Sequence, residues 1–202
     1  MKSVALAAVA AIALTVPAQA ANIMTNLDTV TADGSNFKFS YSGSLTPDLG
    51  AVSGDQLVIV DFAGYVPGSI SSTIPDVTAS ISNTLPSGLI LQSGFTDNAA
   101  IPDLVFTYTG ADFHASGGPF PPLQNFSGLS ADSTFGFTTT GSFSASAVRN
   151  VGADAGDADL EAGRVGVPSA IPEPASWAMM LIGFFGLGAM LRRRGTKALA
   201  IA

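Results

Sequence analysis

Apolar and polar residues alternate with a period of two along much of the chain. The clearest case is Phe37, Phe39 and Tyr41, which alternate with Lys38 and with serines. Such alternation places successive side chains on opposite faces of a β-strand. Alternation or short apolar runs recur at 57–62, 77–82, 89–91, 104–109, 135–137 and 143–147. The run at 57–60 is continuous and β-branched, which predicts a central strand buried on both faces.

Glycine and proline separate these segments, as expected for turns. The part of the chain between residues 21 and 150 contains no stretch with the periodicity of a three-turn helix, and serine and threonine are abundant there. The pattern predicts an all-β sandwich of about eight short antiparallel strands over residues 21–150. Eleven phenylalanines lie outside the C-terminal tail, and we expect them to supply most of the core.

The first twenty residues have the order of a secretory signal peptide. Lys2 precedes an apolar run at 4–16, and Ala18 and Ala20 occupy the small-residue positions of an A-x-A site. We therefore expect residues 1–20 to be removed by cleavage after Ala20. The expected partners are Sec-type export machinery and signal peptidase.

The C-terminal region predicts a single transmembrane helix. Residues 175–191 contain no charge, and Arg192, Arg193 and Arg194 follow directly. Such a helix would be roughly 25 Å long, the short end of what spans a hydrocarbon core. Arginines next to a spanning helix favour the cytoplasmic side, so the body of the chain is expected outside the cytoplasmic membrane.

The segment before this helix carries a specific motif. Pro172, Glu173 and Pro174 are followed by Trp177 and Ala178, then by the glycine-rich apolar stretch and the arginines. This order, over 172–194, resembles the PEP-CTERM sorting signal in its P-E-P-x-x-W-A form. The resemblance implies that an exosortase, a membrane-embedded transpeptidase-like enzyme, removes the helix and passes the protein towards the surface of a Gram-negative cell that makes extracellular polysaccharide. The sorting determinants implied for 172–202 are Pro172, Glu173, Pro174, Trp177, Ala178, Arg192, Arg193 and Arg194.

Residues 151–171 have no aromatic side chain and are rich in glycine, alanine and aspartate, which predicts a flexible acidic linker. Four carboxylates stand close together there, on Asp154, Asp157, Asp159 and Glu161. Their spacing lacks the glycine and the terminal bidentate glutamate of an EF-hand. A solvated linker is therefore the favoured interpretation, and these four residues are only weak candidates for calcium binding.

The composition excludes several kinds of site and partner. The chain has no cysteine and one histidine, which excludes a Cys/His-rich zinc site and a thiol nucleophile. Only 11% of residues are charged although 47% are hydrophobic, as expected if part of the apolar content is membrane-directed. Residues 21–174 carry three basic and fifteen acidic side chains, a net of −12, which argues against a nucleic-acid partner.

Candidate catalytic residues are few. His114 is not accompanied by a G-x-S-x-G elbow around any serine, and no cofactor-binding motif is present. Asp61 and Asp103 flank predicted strands and are interpreted as strand-end residues. We therefore predict a protein that is not an enzyme and has no cofactor; a secreted hydrolase that uses His114 is a less favoured interpretation.

These features together lead to one functional hypothesis. The chain is expected to be an exported cell-envelope protein, tethered to the inner membrane with its body in the periplasm and then transferred to the cell surface or beyond. Exosortase, membrane lipid before processing and extracellular polysaccharide are the expected partners. The alternative is an adhesion module in which the sandwich binds a glycan or another protein, with assistance from calcium.

Overall fold

A computed structural model describes residues 22–114, 124–150, 154–170 and 180–185. The predicted signal peptide, with Ala18 and Ala20, lies outside the described residues, as does most of the predicted tail at 172–202. Of the predicted transmembrane helix, only residues 180–185 are described, and they are helical (α1). No helix in the described ranges has the length and apolar character that crossing a membrane requires.

The rest of the described chain is built from β-strands. Its eleven strands are β1 (Ile23–Asp33), β2 (Asn36–Leu45), β3 (Leu49–Ala51), β4 (Gln56–Ile59), β5 (Ser71–Ser72), β6 (Val77–Ser82), β7 (Asp103–Tyr108), β8 (Phe113–His114), β9 (Gln124–Ser133), β10 (Phe137–Arg149) and β11 (Ala158–Ser169). Five of them have ten to thirteen residues. The expectation of about eight short strands is therefore wrong in both number and length.

The strands form two antiparallel sheets. The smaller sheet has the order β1-β2-β9-β5, and the larger has the order β6-β7-β4-β10-β3-β8, with β11 paired along β10. One buried cluster contains residues of both sheets, such as Phe39 and Leu129 of the smaller sheet and Ile59 and Phe106 of the larger. A core shared by two facing sheets is the defining feature of a β-sandwich, so the predicted all-β sandwich architecture is confirmed.

The core is more aliphatic than the sequence suggested. Its aromatic centre includes Phe39 and Phe62, whose ring centroids lie 5.5 Å apart in an edge-to-face arrangement. Leucine, isoleucine, valine and alanine supply most of the remaining buried positions. Phe137, in contrast, is 56% exposed. The expectation that phenylalanine supplies most of the core is therefore wrong.

Several predicted strands occur where the pattern placed them. The alternating residues around Phe39 lie in β2, and the continuous run at 57–60 lies in or next to β4. This run is buried on both faces of the larger sheet, as predicted. The apolar residues at 89–91 do not form a strand; Leu89 and Leu91 instead lie in the connection 83–102, here called the covering loop, and pack on the outer face of the larger sheet.

The flexible linker predicted for 151–171 is wrong over most of its length. Residues 158–169 form β11, which pairs with β10 through twelve residue pairs. Val165 and Val167 are buried in the core, and the hydroxyl of Tyr41 donates a hydrogen bond to the main-chain carbonyl of Gly166, at 3.0 Å. A Cβ atom at Gly166 would collide with the side chain of Leu27. Glycine is needed at position 166 because β11 and β1 approach each other closely there, and not because the chain must be flexible.

Val165→Ala tests this correction. The substitution should lower the free energy of unfolding by about 2 kcal/mol, because it removes buried methyl groups and leaves a cavity. Leu160→Ala, an apolar truncation at a position of the same strand that is 38% exposed and outside the core cluster, should cost less. Urea unfolding of the purified full chain, followed by circular dichroism, measures both. If both substitutions changed the free energy of unfolding equally and negligibly, residues 158–169 would be a linker and not a strand of the sandwich.

Candidate functional site

Three carboxylates converge at one edge of the outer face of the larger sheet. Asp61, Asp97 and Asp103 each contribute one carboxylate oxygen, and these oxygens all lie within 4.8 Å of one another. Asp61 follows β4, Asp103 begins β7, and Asp97 belongs to the covering loop. Within the described residues, this is the group of at least three acidic or histidine side chains that is close enough to hold a metal ion.

The antiparallel pairing of β4 with β7 brings two of these residues together. Ile59 pairs with Leu104 in antiparallel register, so the residues that follow Ile59 lie beside those that precede Leu104. The main-chain N–H of Asp61 donates to Oδ1 of Asp103 at 2.8 Å. Asp61 has a φ of 57°, in the left-handed region that aspartate tolerates better than most non-glycine residues. The chain therefore turns sharply at the end of β4, and the side chain of Asp61 stays beside Asp103.

The covering loop brings the third carboxylate. The N–H of Leu85 donates to Oδ2 of Asp97 at 2.7 Å, and the N–H of Asn98 donates to Oδ1 of Asp61 at 3.1 Å. Leu85 also packs against a small apolar cluster formed by Val58, Val60 and Val105 on the outer face of the sheet. The bond between Leu85 and Asp97 therefore joins two parts of the loop, whereas the apolar contact and the bond from Asn98 to Asp61 hold the loop on the sheet.

The charges of this cluster are incompletely compensated. Asp103 has no exposed surface, and its Oδ2 atom has no hydrogen-bond partner. Oδ1 of Asp97 is also buried without a hydrogen-bond partner. The ion pairs found among the described residues all involve Arg149, so none of them reaches this cluster. The cluster therefore combines negative charge with burial and lacks a protein cation.

Burial raises the pKa of Asp103 to about 6. The N–H of Asp61 opposes this rise, whereas the neighbouring carboxylates of Asp97 and Asp61 add to it. Burial also raises the pKa of Asp61; the N–H of Asn98 lowers it and the carboxylate of Asp97 raises it. The oxygen-only donor set, with neither thiolate nor imidazole, is of the type that hard divalent cations prefer.

A second feature is an apolar cleft between the sheets. Its volume is about 290 Å³, and it lies at the end of the sandwich where β1, β4 and β9 begin. Its walls are mainly apolar and include Ile23, Phe106 and Phe126. Two polar side chains of its wall bond to each other: the Oγ of Ser146 donates to Oδ1 of Asp55 at 2.8 Å. The cleft can therefore offer apolar contact to a ligand.

The acidic residues singled out in the sequence at 154–161 do not form such a cluster in the described chain. Asp159 accepts hydrogen bonds from the guanidinium of Arg149, at 2.9 Å for Nη2, and Asp154 lies 3.9 Å from the same group. The Asp159 side chain raises the pKa of Arg149. Asp157 lies in the turn before β11 and Glu161 lies within that strand. The sorting and cleavage residues lie outside the described residues.

Sequence reasoning missed the carboxylate cluster. The sequence pattern indicates Asp61 and Asp103 only as separate strand-end residues, and it does not indicate Asp97 at all. The available signal was that both aspartates flank segments predicted as buried strands. Only the pairing of β4 with β7 shows that these two strand ends meet.

Comparisons with protein-family models, curated proteins and solved structures give no significant match to this chain.

The raised pKa of Asp103 predicts how stability depends on pH. The folded state binds the proton more tightly than the unfolded state, so this contribution is fully present below about pH 4 and is lost as pH rises through about 6. In the presence of a chelator, the wild type should lose on the order of 2 kcal/mol of unfolding free energy from this group over that range.

Asp103→Asn should abolish that loss, and Ser82→Ala should retain it, because Ser82 pairs with Asp103 across the strands but carries no charge. Urea unfolding at pH 4 to 7 measures the difference between the variants. The same pH dependence in Asp103→Asn and wild type would contradict the assignment.

Proposed function

We propose that this chain is an exported, non-enzymatic cell-envelope protein that is sorted through a PEP-CTERM signal and processed by an exosortase. The observation that carries the proposal is the order of four elements at 172–194: the P-E-P triplet, the Trp-Ala pair, the uncharged stretch and the arginines. On this proposal, the protein is tethered at the inner membrane before processing and reaches the surface or the polysaccharide matrix afterwards.

The described body is compatible with this route. The core is built from both sheets and includes residues of β11, the last described strand, which ends at Ser169. Pro172 follows three residues later, so the sorting motif begins directly after the last strand. Proline at 172 and 174 disfavours helix in the preceding residues, and a segment that does not form a helix would suit recognition by a processing enzyme. The absence of cysteine removes any dependence on oxidative folding.

A second candidate function is a binding module, and the apolar cleft is the observation that favours it. The cleft approaches the size of small-ligand sites and carries aromatic side chains, including Phe106, Phe126 and Tyr108. Such a site suits an apolar or ring-shaped group of a glycan or of a protein ligand.

The binding function predicts saturable binding on a glycan array or to an envelope protein. Phe126→Ala should weaken this binding at least about tenfold, because it removes an aromatic wall of the cleft. Phe137→Ala is the matched control, because that ring is exposed and does not line the cleft. Equal losses in the two variants would exclude the cleft as the site.

The sorting function predicts a defect in Glu173→Ala. The wild-type product should begin at Ala21, end near residues 172–174 and leave the inner membrane. The variant should remain in the membrane fraction with its C-terminal stretch attached. Glu161→Ala is the matched control, since Glu161 and Glu173 are the two glutamates of the chain. Cell fractionation with mass spectrometry of both termini measures the outcome, and an intact wild-type product in the cytosol would refute the function.

A further inference from the structure

Within the part of the chain that the structure describes, no ion pair reaches the carboxylate cluster on the larger sheet. Asp61, Asp97 and Asp103 place their oxygens within 4.8 Å of one another, yet the ion pairs of the described chain lie elsewhere. Bringing three carboxylates this close is unfavourable unless protons or a cation neutralise them. An ordinary role as strand-end residues therefore does not explain why these three carboxylates lie together without a neutralising group.

Two buried oxygens indicate where a ligand would bind. Oδ2 of Asp103 belongs to a fully buried side chain and has no hydrogen-bond partner, although Oδ1 of the same carboxylate accepts the N–H of Asp61. Oδ1 of Asp97 is likewise buried without a hydrogen-bond partner, although its Oδ2 accepts the N–H of Leu85. In each of these two carboxylates, a hydrogen bond to one oxygen fixes the orientation of the group, and the second oxygen is left available to a ligand. Buried polar atoms without a partner are rare in folded proteins.

We propose that Asp61, Asp97 and Asp103 form a calcium site that fastens the covering loop to the outer face of the larger sheet. A calcium ion binds oxygen ligands at about 2.3–2.6 Å, so two ligands on opposite sides of it are roughly 4.6–5.2 Å apart. Oxygens within 4.8 Å of one another fit that size. Magnesium needs ligands at about 2.0–2.1 Å in near-ideal octahedral geometry, and zinc and copper favour thiolate or imidazole donors, neither of which is present in the cluster.

The position of the site gives the ion a structural role. It would join the chain after β4 to the end of the covering loop and the start of β7, which follow each other directly but lie more than thirty residues beyond Asp61 in the sequence. The loop shields Val58, Val60 and Val105, which would otherwise expose apolar surface on the outer face of the sheet. An ion that binds the folded state and not the unfolded chain stabilises the folded state, and here it acts where the loop meets the sheet.

The acidic residues near β11 are a less suitable site. The guanidinium of Arg149 already supplies positive charge to Asp159 and Asp154. The cluster of Asp61, Asp97 and Asp103 has no such neighbour in the ion pairs described. The proposed site also does not depend on the sorting tail, so its test stands apart from the test of export.

The test uses the purified full chain in a non-ionic detergent, first treated with a chelator. At 10 mM CaCl₂ the thermal midpoint should rise by about 3 to 10 °C, as expected for a dissociation constant of about 10⁻⁴ to 10⁻³ M. Chymotrypsin cleavage after Phe95, in the covering loop, should slow at least about fivefold. MgCl₂ at the same concentration should have a clearly smaller effect on both measurements.

Asp103→Asn and Asp61→Asn should each lose both calcium responses. Asparagine keeps the shape of the side chain and, at position 61, tolerates the left-handed conformation. Two variants are used so that a folding failure in one does not leave the site untested. Asp157→Asn, in the acidic turn before β11, should respond as the wild type does. The proposal is overturned if the wild type does not respond to calcium, if magnesium acts equally well, or if both site variants respond fully.

Discussion

The pairing of β10 with β11 is the interaction on which the rest of the sandwich depends. It runs through twelve residue pairs, and on its other side β10 pairs with β4 and β3. β10 therefore joins the last strand to the middle of the larger sheet. The hydroxyl of Tyr41, from the smaller sheet, reaches the Gly166 carbonyl on β11, and Leu27 of β1 packs close to the same glycine. This edge of the sandwich closes because β11 carries small residues where the two sheets approach each other.

The covering loop follows from the double-sided burial of β4. Leu57 and Ile59 face the main core, whereas Val58 and Val60 face outward and need a second apolar layer. Where this loop meets the ends of β4 and β7, the main-chain groups need hydrogen-bond partners. Aspartate supplies them, and the Oδ1 atom of Asp103 caps the N–H of Asp61. The convergence of carboxylates is thus a consequence of covering a strand that is apolar on both faces.

The sequence was informative where large apolar residues alternate and uninformative where small residues carry the pattern. Phe39 and its neighbours predicted β2 because ring size makes the period of two conspicuous. In β11, Gly163 and Gly166 stand where close packing leaves no room for a side chain, and the glycine and alanine content of the strand resembles that of a linker. The carboxylate site could not be predicted for another reason: Asp61 and Asp103 meet only through the register of β4 with β7, and no local spacing reports it.

Because residues 158–169 form a strand and not a linker, the geometry expected for the proposed sorting step changes. A flexible segment at 151–171 would have held the sandwich well away from the lipid. With β11 ending at Ser169, only five residues separate the sheet from Ala175, where the uncharged stretch begins. The six steps from Ser169 to Ala175 span at most about 20 Å, less than the diameter of a small domain. On the proposed function, the sandwich would therefore lie close to the membrane surface before processing, and the exosortase would have to act on a short segment beside a folded sheet.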